Sequence, residues 1–187
     1  MGTPWMAGVL MATAFIWTEH PSVAQDEGKT AAAELAGTST AALETLYGSA
    51  ELAKQLAPKA QAILVFPKVT KAGLGIGGQY GEGALLKNGK AVDYYKTTGA
   101  SFGLQAGGQQ YGYAMFFMNA KALDEFANAS GFEVGVGPSV VLVDEGLAKT
   151  TTTTTLKDDI YAFVFGQKGL MAGLGIQGNK ITKITPK

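Results

Sequence analysis

The chain has 187 residues, 47% of them hydrophobic, with 15 lysines, no arginine, 15 acids and a formal net charge of zero. That is enough apolar material for one core, and a neutral, arginine-free chain lacks the basic stripe of a nucleic-acid binder. The absence of cysteine and the presence of one histidine, His20, exclude disulfides, thiolate metal sites, a lipobox cysteine anchor and a multi-histidine metal centre.

Residues 5–17, WMAGVLMATAFIW, form an apolar run. It is shorter than the roughly 20 residues that span a bilayer. Its length fits the apolar region of an export signal, and Ser22-Val23-Ala24 offers small residues for cleavage. No lysine precedes it, so three readings stand: an unusual export signal, an altered chain start, or a structural segment. Glu19 to Thr30 reads as a linker. Residues 1–29 are therefore set apart from a single domain at 30–187.

The stretch 30–57 is rich in Ala, Glu and Leu and predicts a helical arm. Leu43, Leu46, Tyr47 and Ala50 fall on one face, which packs on the body. Ser39 or Thr40 is the expected N-cap, Gly48-Ser49 the expected break, and Pro58 the stop.

From Ala62 the pattern becomes strand-like. Ile63 to Phe66 predicts a strand ended by Pro67. In KAGLGIGGQYGEGALL, residues 71–86, Leu74 and Ile76 face one way and Gly73, Gly75 and Gly77 the other. So many glycines oppose a helix but give a strand a flat face where a second backbone can lie close. Asn88-Gly89 predicts a hairpin joining 79–87 to 90–95. Residues 99–118 alternate with a break and predict two more strands. Asn119 caps a short helix with Leu123 and Phe126 inward and Gly131 at its end. Phe132, Val134 and Val136 predict a strand, Val140–Val143 another, and Asp144-Glu145-Gly146 a turn. The six threonines 150–155 disfavour helix. Tyr161, Phe163 and Phe165 mark a buried strand, and Ile181–Ile184 a short tail. AGLGIGG at 72–78 is echoed by AGLGIQG at 172–178, two glycine-faced strands solving one packing problem. The fold class is α+β: a mainly antiparallel, glycine-rich, strongly twisted or barrel-like sheet with N-terminal helices and one short mid-chain helix.

Gly73, Gly75 and Gly78 also satisfy the G-x-G-x-x-G dinucleotide spacing, as do Gly173, Gly175 and Gly178. The context rejects it, because neither copy opens a helix whose N-terminus would take a pyrophosphate. Glu82, Asp93, Glu133, Asp144, Glu145, Asp158 and Asp159 are the candidate carboxylates, and a pair such as Glu82 with Glu133 has the chemistry for acid–base work. Turn and surface roles account for them. The expectation is no enzyme, no cofactor and no metal.

The segments ILVFPKVTKAGLGIGGQYGEGALL (63–86), YYKTTGASFGLQAGGQQYGYAMFFM (94–118), FEVGVGPSVVLVDEGLAK (132–149) and YAFVFGQKGLMAGLGIQGNKITKI (161–184) resemble the SYLF, or Ysc84 actin-binding, domain family. ALETLYGSAELAKQLAPKA (42–60) is similar to the family's helical start. The resemblance covers residues 38–187. It implies lipid binding, to phosphoinositide-like headgroups in some members and actin binding in others, and an exported, periplasmic or envelope-associated bacterial member.

Lys68 and Lys71 flank the first strand, and Lys168, Lys180 and Lys183 surround the last. On the residues alone these are either ordinary solvated lysines or one basic patch. The resemblance favours the patch. The expected function is thus a non-catalytic domain binding anionic phospholipid through Lys68, Lys71, Lys168, Lys180 and Lys183. The alternative is a structural or interaction module, self-associating or bound to an actin-like partner.

Overall fold

Two long strands joined at Asn88-Gly89 organise the molecule. The computed structural model describes residues 23–134, 138–143, 157–169 and 178–187. Strand β1 is Ala62–Lys87 and β2 is Lys90–Phe117. Asn88 (φ 52°) and Gly89 (φ 75°) supply the left-handed pair that a two-residue hairpin needs. Pro67 does not end the first strand as expected. The register passes from Phe66 to Val69, and this irregularity accommodates a residue with no ladder N–H.

Strand β3 (Phe132–Glu133), β4 (Val140–Val143), β5 (Ile160–Gly169) and β6 (Lys180–Ile184) complete the sheet. β2 is its spine. β1 covers one edge of β2, while β5 lies along residues 109–117 and β6 along 94–98 of the other. β3 extends β6, and β4 adds to β5 as the single parallel pair among the described strands. The expected C-terminal tail, Ile181–Ile184, is therefore a strand between β3 and β2. β1 and β2 bend at mid-length and count as two segments each, so the sheet curls into an eight-segment half-barrel.

The bend depends on glycine. A Cβ on Gly81 would lie 2.8 Å from the Lys68 carbonyl oxygen, and one on Gly83 would lie 2.2 Å from that of Val65. The two halves of β1 thus press backbone against backbone, the close approach that the flat face predicts.

Sheet alternation separates two apolar layers. Leu64, Phe66, Tyr113, Met115, Phe117, Ile160 and Ile181 fill the concave side. Helix α3 (Ala120–Asn128) closes that layer with Phe126, which packs on Tyr95, Phe117 and Phe132. Asn119 caps it by accepting from the Ala122 N–H at 2.8 Å. The helix ends at Asn128, so Gly131 is not its cap; Gly131 instead makes room for the Lys180 side chain.

The convex side carries Val65, Phe116, Tyr161 and Phe163. Helix α1 (Val23–Ser49) and α2 (Glu51–Leu56) cover it with Leu43, Leu46, Leu52 and Leu56. The apolar face expected at Leu43, Leu46, Tyr47 and Ala50 does pack on the body, and the helix breaks after Ser49 as predicted. Pro58 falls in a 3₁₀ turn, Ala57–Lys59, that ends helical order. Two expectations fail. α1 is already helical from Val23, the first described residue, rather than from near Thr30, so the expected linker up to Thr30 is in part helix. Ser39 and Thr40 lie inside α1 and are not caps. Ser39 is buried and donates to the Val65 carbonyl, while Thr40 donates to Ala36.

Residues 78–87 are strand, which removes the helix that a dinucleotide fingerprint requires. The apolar run 5–17, Val136, the 144–146 turn, the threonine run and residues 172–177 of the glycine echo lie outside the described residues.

Candidate functional site

The most distinctive region is the bend of the β1–β2 hairpin. Leu74 pairs with Ala106 and Ile76 with Phe102, so the register shifts between them. A Cβ on Gly73 would meet the Gly77 Cα at 2.3 Å, so the chain doubles back tightly here. Leu74 (83% exposed) and Ile76 (69% exposed) stand out at this bend as the most exposed large hydrophobic residues described.

Two transverse rows of residues flank the bend. On one wall Thr70, Gln110 and Lys168 align across β1, β2 and β5. On the other, Tyr80, Thr98 and Lys180 align across β1, β2 and β6. Thr70 and Tyr80 stand equally far along β1 from their nearer apolar residue, Leu74 or Ile76. Lys168 and Lys180 therefore sit at matching heights on opposite walls, both exposed. Lys68, exposed in the β1 irregularity, lies two residues farther from the bend on the first wall. Lys71 does not: it is 4% exposed, opposite Gln109 inside the half-barrel, and engaged there. Lys183 lies farther from the bend and forms an ion pair with Asp93 at 2.5 Å. The structure thus places Lys168 and Lys180 in the rows nearest the bend, with Lys180 beside Gly131 and opposite Glu133, leaves Lys68 farther along its wall, turns Lys71 inward and pairs Lys183. Strand periodicity already carried part of this signal, since residues three apart on a strand face opposite ways.

Below the bend, the interior is polar. The Tyr111 hydroxyl donates to Gln79 Oε1 at 2.7 Å, and Gln79 Nε2 donates to Asn179 Oδ1. Gly99 leaves room for this contact, since a Cβ there would sit 2.4 Å from Asn179 Oδ1. Thr97 and Gln109 are also buried. Sequence reading missed this group; only the strand parity that places Gln79 and Tyr111 on the core side pointed to it. Burial pushes Tyr111 up to about 12 and holds Tyr113 higher still; burial and then the Asp93 charge raise Tyr95 to about 12.

These shifts move groups away from neutral pH, the opposite of what general acid–base catalysis needs. The carboxylates are committed elsewhere. Glu82 accepts from the Tyr80 hydroxyl and faces Lys96, and Glu133 faces Lys180. Asp159 accepts from Asn119 at 2.7 Å, and Asp158 from Tyr161 at 3.2 Å. Asp144 and Glu145 lie outside the described residues. Among the described residues no group of three His, Asp or Glu is placed to hold a metal, and no helix is long and apolar enough to cross a membrane. A groove of about 800 Å³ lies between α1 and the end of β6, lined by Lys29, Asp93, Tyr94, Lys183 and Pro186 among others.

The arrangement is that of a curled-sheet α+β domain whose distinctive surface is a lysine-flanked apolar bend, consistent with a non-enzymatic module. Residues 98–185 match the family model described as Ysc84, Las17-binding protein actin regulator. The matched region runs from the middle of β2 through β6. It includes Lys168, Lys180 and Lys183 but not Lys68 or Lys71. No curated protein matches the chain.

Proposed function

We propose that this chain is a non-catalytic domain that binds the surface of anionic membranes with the bend end of its half-barrel. The observation that carries this reading is charge. Between the Thr70–Gln110–Lys168 row and the Tyr80–Thr98–Lys180 row, residues 70–80, 98–110, 168–169 and 178–180 contain three lysines and no Asp or Glu, with Glu133 of β3 opposite Lys180. Lys168 and Lys180 are exposed in those rows, and Lys68 is exposed two residues beyond Thr70. Each lysine near an anionic bilayer contributes about 1 kcal/mol. Three suffice for weak, salt-sensitive attachment by a protein with no net charge. The SYLF resemblance and the partial Ysc84 match support a lipid-interacting role of this kind. The apolar run 5–17 supports export and a place at the cell envelope.

Flotation with phosphatidylcholine vesicles, with and without phosphatidylserine, tests the reading. Binding should require the anionic lipid, weaken with salt, and fall at least about tenfold when Lys68, Lys168 and Lys180 are replaced by Glu. Equal binding to neutral vesicles would refute it.

The matched family's description favours a second reading, in which the domain binds an actin-regulating or actin-like protein. Co-sedimentation with actin filaments, in the absence of lipid, distinguishes the two.

A further inference from the structure

We infer that Leu74 and Ile76 form a membrane-inserting edge, entering the bilayer beneath the headgroups held by the surrounding lysines. The inference rests on the membrane-surface reading and specifies how the surface is engaged. Nothing in the matched family's description assigns this bend a role.

Three observations lead to it. Leu74 and Ile76 are 83% and 69% exposed, although α1 and α2 cover the apolar residues elsewhere on the convex side. The chain is close-packed beside them, since the Gly73–Gly77 approach leaves no room for even a methyl group at position 73. The two side chains are therefore presented on a tightly folded loop of sheet. Tyr80, 50% exposed, lies next along β1, and its ring has the amphipathic character that favours the headgroup level.

Charge complementarity selects a lipid occupant. Lys168 and Lys180 flank the bend on opposite walls; of the nearest carboxylates, Glu82 faces Lys96 and accepts the Tyr80 hydroxyl, and Glu133 faces Lys180. A second copy of the chain would bring lysines against lysines. Among the described residues, two apolar side chains also fall far short of the roughly 800 Å² per partner that stable association buries. Transfer of a leucine or isoleucine side chain from water is worth roughly ten- to hundredfold in affinity. The pair would thus convert weak electrostatic contact into useful residence at the surface.

The full chain contains no cysteine, so a single introduced thiol can carry an environment-sensitive nitrobenzoxadiazole probe. Ile76→Cys places the probe at the bend. Ala127→Cys places it on the exposed side of α3, beyond the other end of the hairpin. With phosphatidylserine-containing vesicles, emission at 76 should shift to the blue and be quenched by brominated acyl chains, while emission at 127 stays constant. Leu74→Ser with Ile76→Ser should lower flotation at least about tenfold with an unchanged melting temperature. If the chain floats with vesicles but the probe at 76 does not respond, insertion is refuted and surface binding stands. If the unlabelled chain does not float, both fail. A blue shift without vesicles that grows with protein concentration would assign the edge to self-association and overturn the inference.

Discussion

Tyr111 donates its hydroxyl hydrogen bond to the Gln79 side-chain oxygen at 2.7 Å, joining β2 to the far half of β1 inside the half-barrel. Gln79 passes the connection to Asn179 at the start of β6. Three chain segments thus meet through side-chain polar groups beneath the bend.

Loss of that relay should be felt as stability rather than as binding. Tyr111→Phe leaves the Gln79 oxygen buried without its donor, which costs about 1–3 kcal/mol. Urea unfolding should show this loss while vesicle flotation of the remaining folded protein stays the same. A neutral effect on stability would show that the relay contributes nothing.

The buried tyrosines predict a specific alkaline transition. Tyr47, Tyr95 and Tyr111 are each raised from 10.0 to about 12, principally by burial. The unfolded chain therefore releases these protons first. Their contribution is complete below pH 10 and is lost progressively between pH 10 and 12. Tyrosinate absorbance in the native protein should lag behind that of the urea-unfolded chain, and Tyr111→Phe should shrink the lag. Coincident titrations would contradict the burial of these rings.

Glycine replacements should separate by location. Gly83→Ala drives a methyl group into the Val65 carbonyl and the Phe66 ring, and should cost about 3 kcal/mol or more. Gly37→Ala, on an open helical surface with nothing within 4 Å, should stabilise by about 0.5–1 kcal/mol. Thermal melting of the two variants checks the contrast; a tolerated Gly83→Ala would mean that the halves of β1 are not pressed together.

Asn119 has two roles, as the cap of α3 and as a donor to Asp159. Asn119→Ala should lower stability by about 1–2 kcal/mol at neutral pH. The Asn119 hydrogen bond, with help from Ser139 and Lys121, holds Asp159 below its usual 3.8. That contribution is present above pH 3.8 and disappears as the pH falls through the lower folded value, so the variant should also show a shallower acid limb. An unchanged acid limb would detach Asp159 from the cap.

Local chemistry made much of this fold legible. Asn88-Gly89 could hardly be anything but a turn, Asn119 precedes an apolar helical spacing, and Tyr161, Phe163 and Phe165 alternate as a buried strand must. The flat glycine face led correctly to close backbone contact at Gly81 and Gly83. What stayed hidden depends on distant partners. Ile181–Ile184 is too short to declare itself a strand until β2 and β3 lie on either side of it. Ser39 resembles a cap until the Val65 carbonyl appears beside it. The lysines show the same limit. The expected patch of five lysines is divided by the sheet, which turns Lys71 inward, leaves Lys68 on the outer side, and aligns Lys168 and Lys180 with Thr70 and Tyr80. Leu74 and Ile76 were recognised as sharing a face, but only the curl leaves that face in water.

The position of β6 bears on how the molecule reaches this state. Gln79 must wait for a partner 100 residues later, and Thr98 for one 82 residues later. Such distant pairings carry a large loop-closure entropy and retard folding. β6 is what covers the edge of β2 at residues 94–98. A chain without β6 would expose that seam to strand addition by another molecule.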